Sequence, residues 1–462
     1  MNYKKELKLS QYTIIWKEYV YNTRQRSLLF LPINYIEFLK NGEFYYLPDK
    51  ILEILQIAGI LLDKKIDEEL LFEFWLARQK MDTTSLHVAF IPTYQCNCRC
   101  VYCYADWIRS PIRNLNLQIN KEDIIKWLYS SIKILKIREL DFAFHGGEPL
   151  LLRKYVINIA SKINEICEEL GLKKIFSIVT NGTLLSPAFV QEIQKFSFNR
   201  ALVTLDGLPS FHDIRRPFIS GKGTFEIIFS NIKKALDLGM DIVLGYNFDK
   251  QNFQNIPEFL DFLLKNGFDN YKNFRLIFGA VRKGPEPVNP EYFKSYEMSK
   301  AEAGKTLLWA YNEALRRGIR IVEPLGFGLC TFKTAWVFMI DYKGDIFKCI
   351  TLAGRPESWV GTIYEPFEII AQRTSQFAFL EPWRKFDKCR KCIYLPMCFG
   401  GCYQQALLKS EKKILGEKID CMRELYDALF PDVLQIMRER LIRFPEFKTK
   451  IEEQSTILLQ TF

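Results

Sequence analysis

A strict alternation of strand-like and helical patterns begins at Leu86, and it constrains the fold of this chain more than any other feature. Six apolar, strand-like runs separated by amphipathic stretches lie at 87–91, 140–145, 175–180, 201–206, 241–246 and 274–281. Strands that alternate with helices predict a parallel sheet with helices outside it. The sequence therefore predicts an α/β fold whose sheet closes partly into a (β/α)6, TIM-like barrel. Because the strands are apolar throughout, we expect both of their faces to be buried.

Other patterns flank the barrel. Before it, the alternating runs Tyr12–Tyr19 and Ser27–Pro32 predict a β-hairpin, and three helical patterns follow at 33–40, 48–58 and 67–80. After it, two runs around Gly344, at 336–340 and 346–350, predict a second hairpin. From Asp420 onward the pattern is mainly helical.

The composition excludes several classes of protein. Of the 462 residues, 48% are apolar and 26% charged, which supports a large core and excludes disordered chains. The net charge of +10 is scattered, so we expect no nucleic-acid partner. The sequence has no signal region and no stretch long enough to span a bilayer, so we expect no membrane association and a cytoplasmic location. In a reducing cytoplasm, the twelve cysteines indicate metal or redox chemistry.

The cysteines fall into two dense groups, one near the start of the barrel and one after it. Between these groups only Cys167 occurs, and it lies within a helical pattern. The first group, Cys96-Asn-Cys-Arg-Cys100-Val-Tyr-Cys103, follows the first barrel strand, where barrel active sites lie. Three thiolates at C-x3-C-x2-C spacing can hold three irons of a cubane cluster and leave the fourth iron open. Zinc sites more often close all four positions. Cys98 does not fit the spacing, and we interpret it as a bystander thiol.

With this motif the chain resembles the radical S-adenosylmethionine (radical SAM) enzymes. Cys96, Cys100 and Cys103 match the family's cluster ligands, and Tyr102 matches the aromatic residue that usually precedes the last cysteine. In that family the reduced cluster cleaves SAM to a 5′-deoxyadenosyl radical, which abstracts hydrogen from the substrate. The resemblance implies the same activity here.

The resemblance continues at His145-Gly-Gly-Glu-Pro149, the segment that binds the methionyl amino group of SAM in the family. It assigns that role to Gly146, Gly147 and Glu148. Glycines let the backbone approach a ligand closely, and a carboxylate suits an ammonium. Similar segments after later strands imply that Thr204 and Arg216 contact the ribose or carboxylate of SAM. Further candidates for the pocket wall are Tyr104, Asp106 and His145.

The second group resembles the seven-cysteine SPASM domain, which many radical SAM enzymes that act on peptides and proteins carry. Every spacing of that pattern is present. The resemblance implies one auxiliary [4Fe–4S] cluster on Cys389, Cys392, Cys398 and Cys421, and another on Cys330, Cys349 and Cys402. Residues 326–329 contain no cysteine, so a substrate thiolate, a backbone amide or a non-cysteine ligand could complete the second cluster. A zinc-ribbon-like fold is the alternative.

The resemblance as a whole implies SAM and three [4Fe–4S] clusters as cofactors, an anaerobic setting, and an electron donor such as flavodoxin or ferredoxin. The N-terminal hairpin and helices resemble the winged, leader-binding element of enzymes that modify ribosomally made peptides. We therefore predict a maturase that forms a thioether or carbon–carbon cross-link in a precursor peptide with a leader sequence. The predicted domains are 1–84 (leader-binding), 85–318 (barrel), 319–430 (SPASM) and 431–462 (a helical tail).

Two alternatives remain open. The first is anaerobic sulfatase maturation, in which a similar enzyme oxidises a Cys or Ser to formylglycine. Those enzymes usually have an Asp after the cysteine that matches Cys349, where this chain has Ile350, and they generally begin near the barrel. The second is a non-catalytic iron–sulfur or zinc scaffold, which would not cleave SAM. The sequence identifies no catalytic acid or base.

Overall fold

The computed structural model describes residues 6–105, 120–285, 287, 289–325, 329–410 and 414–447. Its N-terminal strands are β1 (Leu7–Leu9), β2 (Thr13–Trp16), β3 (Tyr19–Asn22), β4 (Ser27–Phe30) and β5 (Leu61–Asp63). The helices are α1 (Ile33–Asn41), α2 (Asp49–Ile57) and α3 (Glu68–Lys80), which confirms all three predicted helices. The predicted strand Tyr12–Tyr19 is wrong. Lys17, in a left-handed backbone conformation with φ 50°, turns the chain there, so β2, β3 and β4 form an antiparallel sheet of three strands.

The two faces of this N-terminal sheet pack against different parts of the molecule. Val20 and Leu29 belong to a separate small core with residues of α1 and α2. Tyr21 and Leu28 belong to the main core, and the Tyr21 ring lies 5.8 Å from that of Phe430. The N-terminal sheet is therefore packed directly against the C-terminal helical region.

Six parallel strands follow and pair in chain order. They are β6 (Ser85–Ile91), β7 (Glu139–Phe144), β8 (Lys173–Thr180), β9 (Arg200–Thr204), β10 (Asp241–Phe248) and β11 (Phe274–Ala280). The helices of this region are α4 (Lys121–Leu135), α5 (Arg153–Glu169), α6 (Pro187–Gln194), α7 (Pro209–Arg215), α8 (Phe225–Asp237), α9 (Ile256–Lys265), α10 (Pro290–Tyr296) and α11 (Lys300–Arg316). This parallel sheet with its helices confirms the predicted α/β fold class.

The cysteine-rich region continues the barrel sheet. Its strands are β12 (Val337–Asp341), β13 (Asp345–Phe347) and β14 (Trp359–Thr362). Its helices are α12 (Phe367–Ala378), α13 (Asp387–Arg390), α14 (Leu395–Cys398), α15 (Tyr403–Leu408), α16 (Arg423–Leu429) and α17 (Val433–Arg443). The predicted second hairpin is present, and β12 pairs in parallel with β6. The result is a sheet of nine strands in the order β11-β10-β9-β8-β7-β6-β12-β13-β14.

The strands of the barrel are buried on one face only. On β6, Leu86 and Phe90 are fully buried, whereas His87 between them is half-buried and lines a cavity with Asp141 of β7. The expectation of burial on both faces is therefore wrong, because the barrel is only partly closed and its inner face borders open space. None of the described helices is long and apolar enough to cross a membrane.

Candidate active site

The carboxyl ends of the barrel strands surround a cavity of ≈390 Å³. The predicted site residues that line it are Cys96, Cys100, Tyr102, Cys103, Gly146, Gly147, Thr204 and Arg216. Tyr104 and His145 line it as well, whereas Asp106 lies outside the described residues. Because parallel strands all end at the same edge of the sheet, residues far apart in the sequence meet here.

Cys96, Cys100 and Cys103 lie on one loop, residues 93–103 (the cluster loop). Backbone hydrogen bonds hold this loop in place. The N–H groups of Arg99 and Val101 donate to the carbonyls of Pro217 and Arg215 at 2.8 and 2.9 Å. The Ile219 N–H in turn donates to the Asn97 carbonyl at 2.9 Å. This pairing fixes the loop along the cavity wall. Cys98 is 1% exposed and is not among the residues that line the cavity; its interpretation as a bystander thiol stays a prediction.

Gly146 and Gly147 lie against the beginning of the cluster loop. The Gly147 N–H donates to the Thr93 carbonyl at 3.0 Å, and the Glu148 N–H donates to the Gln95 carbonyl at 2.8 Å. A Cβ atom on Gly147 would lie 2.2 Å from the Gln95 carbonyl oxygen, which is far inside contact distance. Because the two glycines have no side chain, their backbone can approach the cluster loop closely and the cavity wall stays open.

The Glu148 carboxylate is buried next to the cavity, and its contact with the ammonium group of SAM stays a prediction. Glu148 is 0% exposed, and its oxygens accept hydrogen bonds from the Thr180 hydroxyl at 2.9 Å and the Asn181 N–H at 2.7 Å. It also accepts from the Leu150 N–H at the start of a short 3-10 helix. Burial raises the pKa of Glu148 to about 7. The carboxylate thus orders the ends of β7 and β8 around the cavity.

Tyr102 is the centre of a polar network beneath the cavity. Its hydroxyl donates to Asp206 and accepts hydrogen bonds from Arg216 at 2.8 Å and from the Asn247 side chain at 3.2 Å. Asp206 is fully buried and forms an ion pair with Arg215 at 3.3 Å. The network joins the ends of β9 and β10 to the cluster loop and so fixes the position of the Tyr102 ring.

Arg215 extends that network into the core. It is 0% exposed and pairs with Asp249 at 2.8 Å as well as with Asp206. It also contacts the Tyr292 hydroxyl. The sequence pattern indicated Arg216 but gave no signal for Arg215, because only the folded structure shows that two carboxylates converge on it.

The cysteine-rich region provides the opposite wall of the cavity, through Thr351, Cys402, Gln404 and Gln405. Arg282, after β11, lines the same side and donates to Asp420 at 3.2 Å. Asp420 is fully buried and also pairs with Lys300 at 2.5 Å and Lys409 at 2.7 Å. No motif pointed to Thr351, Arg282, Gln404 or Gln405. Among the described residues that line the cavity, two are arginines and none is acidic.

The remaining thiols form two groups. Cys389, Cys392, Cys398 and Cys421 all line one cavity of ≈40 Å³, here called the four-thiol cavity. Cys330, Cys349 and Cys402, here called the three-thiol group, lie close enough to influence each other electrostatically. Burial raises the pKa of the Cys349 thiol to about 12, and the Thr351 hydroxyl lies 3.0 Å from its sulfur.

The arrangement of these thiols suits iron–sulfur clusters. Three thiols on one loop beside an open cavity fit a cluster with one accessible iron, and four thiols around a small cavity fit a fully ligated cluster. In the described part of the chain, no group of three or more His, Cys, Asp or Glu side chains is arranged to hold a single metal ion.

Comparison with known proteins identifies the class. Residues 90–263 match the Radical SAM superfamily. The chain is 26% identical over 203 residues to the Fe-coproporphyrin III synthase of Methanosarcina barkeri, a match that spans 43% of this chain and 45% of that protein. It is 20% identical over 367 residues to a cysteine-type anaerobic sulfatase-maturating enzyme of Clostridium perfringens, across 74% of this chain and 95% of that enzyme.

Two solved structures share the fold. One is anSMEcpe with bound AdoMet, with a TM-score of 0.64, 16% identity and coverage of 80% of this chain and 99% of that one. The other is SuiB of Streptococcus suis bound to its precursor peptide SuiA, with a TM-score of 0.54, 17% identity and coverage of 90% and 99%. The chain therefore contains a radical SAM domain and is a SAM-dependent radical enzyme. The superfamily match favours an enzyme over the non-catalytic scaffold.

Proposed function

We propose that this protein is a radical SAM maturase that forms a thioether or carbon–carbon cross-link in a ribosomally made precursor peptide. The observation that supports this most directly is the ≈390 Å³ cavity, because its wall includes Cys96, Cys100 and Cys103 on one side and Cys402 on the other. A substrate in this cavity would lie between the first cluster and an auxiliary cluster. Cross-linking removes two hydrogens from a peptide, so it needs both a radical source and an electron acceptor.

The cofactor set of the proposal follows from the three thiol groups. Cys96, Cys100 and Cys103 would hold the cluster that binds SAM, and the four-thiol cavity and the three-thiol group would hold two auxiliary [4Fe–4S] clusters. When bound, SAM and its cluster supply the radical that abstracts a hydrogen atom from the substrate. Gly146, Gly147, Thr204, Arg216 and Tyr102 would bind and orient SAM.

The protein's own residues position the reactants and exclude water. Arg216 and Arg282 place positive charge on two sides of the cavity, and Gln404 with Gln405 places amide groups beside Cys402. Both amide nitrogens donate to the Lys283 carbonyl, at 3.2 and 2.8 Å, which fixes this wall. We propose that this amide-lined wall contacts the peptide backbone of the substrate.

The N-terminal region, residues 1–84, would bind the leader of the precursor peptide. Its sheet β2-β3-β4 and helices lie outside the barrel. The structure of SuiB, which was solved with a precursor peptide, covers 90% of this chain, whereas that of anSMEcpe covers 80%. A leader-binding element of this kind would take up the peptide as an additional strand.

Sulfatase maturation is the second candidate, and the match to the Clostridium perfringens enzyme over 95% of its length supports it. One observation favours the peptide maturase over it. The residue after Cys349 is Ile350, so the base usually found there in sulfatase maturases is missing. Thr351, the next residue, does line the cavity, but an unactivated hydroxyl is a poor base.

The test is to co-express the protein, without oxygen, with a short Cys-containing peptide encoded beside its gene, and to measure the intact mass of the peptide. We expect loss of one or more pairs of hydrogens, and no loss with Cys100→Ala. Fragmentation then locates the bond. Conversion of a Cys to formylglycine in a sulfatase-derived peptide, with no cross-link in the precursor peptide, would instead establish the second candidate.

A further inference from the structure

Two lysines are buried beside the three-thiol group, and neither has a role in the proposed function. Lys333 is 1% exposed and Lys348 is 0% exposed. In the described part of the chain neither ammonium pairs with a carboxylate; both donate to backbone carbonyls instead. A buried ammonium without a counter-ion costs several kcal/mol, so negative charge nearby would stabilise both lysines in their charged form.

Lys333 lies against the chain segment that connects the two sets of thiols. Its ammonium donates to the Phe399 carbonyl and lies 5.0 Å from the Tyr403 ring centre. Cys398, from the four-thiol cavity, directly precedes Phe399, and Cys402, from the three-thiol group, directly precedes Tyr403. The ammonium therefore lies beside one thiol-bearing residue of each group.

The two lysines differ in which cysteines lie close enough to act on their charge. Lys333 interacts electrostatically with Cys330 of the three-thiol group and with Cys398 of the four-thiol cavity, and also with Lys80 and Glu381, which pair with each other. Of the cysteines, only Cys330 has such an interaction with Lys348. The Lys348 ammonium is also fixed by three carbonyls, those of Thr334, Ala335 and Val337, at 2.7, 3.2 and 2.6 Å.

A third buried lysine provides a contrast. Lys80 has a side chain that is 2% exposed, but it pairs with Glu381, so its charge is compensated by the protein. Lys333 and Lys348 have no such partner among the described residues. The negative charge that stabilises them would come from the thiolate-bound clusters.

We propose that Lys333 is a positioning residue whose charge is shared by the two auxiliary clusters and raises the reduction potential of both, whereas Lys348 raises that of the three-thiol cluster alone. This rests on the proposed cofactor set. Each auxiliary cluster gains one electron on reduction and so becomes more negative, and a nearby ammonium favours that state. A shared cation would keep the two potentials high together, which suits clusters that accept an electron from a substrate.

The test is a potentiometric titration, followed by electron paramagnetic resonance, of the reconstituted full-length protein. A Cys96→Ala/Cys100→Ala/Cys103→Ala background removes the SAM cluster, so that only auxiliary signals remain. Adding Cys392→Ala assigns the signal of the four-thiol cluster. Iron content and the thermal transition of each variant establish that it is folded and loaded.

We expect Lys333→Met to lower both auxiliary potentials, each by at least a tenfold change in the reduction equilibrium, or about 59 mV for one electron. Lys333→Arg keeps the charge and should leave both near the wild-type values. Lys348→Met should lower only the potential of the three-thiol cluster. Should Lys333→Met fail to load iron, the single shift expected for Lys348→Met still tests the assignment.

Unchanged potentials in loaded Lys333→Met, or equal shifts of both clusters in Lys348→Met, would overturn the inference while leaving the maturase proposal intact. A background protein that binds no auxiliary cluster would instead overturn the cofactor set, and the role of Lys333 with it. Peptide modification plays no part in either result, so failure of the two proposals can be distinguished.

Discussion

The cavity at the carboxyl edge of the barrel and the four-thiol cavity are both lined by cysteines, but they differ about tenfold in volume. The first encloses ≈390 Å³ and has polar walls contributed by separate strand ends and by the cysteine-rich region. The second encloses ≈40 Å³, room for only a few water molecules, within one short stretch of chain and Cys421. The difference fits the proposed cofactor set, in which the cluster at the first cavity acts on a bound molecule and the four-thiol cavity holds a cluster alone.

The largest expected effect is the loss of SAM cleavage when a thiol of the cluster loop is removed, and the bystander thiol Cys98 of the same loop provides the control. Cys100→Ala should abolish SAM cleavage, with at least about a thousandfold loss of 5′-deoxyadenosine, because a thiol of the cluster with the open iron is removed. Cys98→Ala, in the same loop but outside the cavity wall, should retain activity. Chromatography of 5′-deoxyadenosine from the reduced protein measures both. SAM cleavage by Cys100→Ala at the wild-type rate would contradict the assignment of the cluster loop.

The second prediction concerns the four-thiol cavity. Cys392→Ala should lower the iron content by about four atoms per chain and stop peptide modification, while SAM cleavage changes less than about threefold. The reason is that none of the described residues lining this cavity also lines the larger one. Iron analysis, 5′-deoxyadenosine formation and peptide mass are measured on one preparation. Equal loss of SAM cleavage and peptide modification would contradict the claim that the two cavities have different roles.

The third prediction concerns the network beneath the larger cavity. Arg215→Met leaves the buried carboxylates of Asp206 and Asp249 without their cation, and should lower stability by about 3–5 kcal/mol. The control is Arg153→Met. Arg153 pairs with Glu192 at the surface, with side chains 43% and 42% exposed, and its loss should cost less than about 1 kcal/mol. Thermal unfolding of the two variants compares them, and similar transition temperatures would show that the buried network is not needed for stability.

The smallest expected effect comes from Tyr102→Phe. It removes the hydroxyl that connects Asp206, Arg216 and Asn247, and should weaken SAM binding by about 1–2 kcal/mol through a less well-fixed ring and Arg216. Tyr104→Phe removes a hydroxyl from the same cavity that lies 3.5 Å from His145, and should have less effect. Equilibrium binding of SAM to the loaded protein gives the two affinities. A larger loss of SAM affinity in Tyr104→Phe than in Tyr102→Phe would contradict the importance of the Tyr102 hydroxyl for SAM binding.

The sequence predicted the barrel well because strand and helix periodicity is local, and β6 to β11 all occur where the alternation predicted them. It also predicted several of the residues that line the cavity, since motifs at strand ends meet at one edge of the sheet. It was less successful where long-range packing decides the outcome. No sequence pattern indicated the hydrogen bonds that Thr180 and Asn181, at the end of the next strand, donate to the Glu148 carboxylate. Lys17, which divides the predicted N-terminal strand, gives no local turn signal.

The residues that the sequence missed share a physical cause. Gln404 and Gln405 follow Cys402 without a motif of their own, and they reach the cavity only because β12 joins the cysteine-rich region to the barrel sheet. Arg282 is similarly positioned by Asp420, which is more than a hundred residues away. A pattern in one segment cannot show such contacts, since they depend on how two regions pack together.

The most direct measurement of the central claim is the transfer of deuterium from the precursor peptide to 5′-deoxyadenosine. The peptide is prepared with deuterium on its side-chain and α carbons, incubated with the reduced, loaded protein and SAM, and the nucleoside is analysed by mass spectrometry. We expect 5′-deoxyadenosine that contains one deuterium, in amounts that match the modified peptide. Unlabelled 5′-deoxyadenosine together with an unmodified peptide would contradict it.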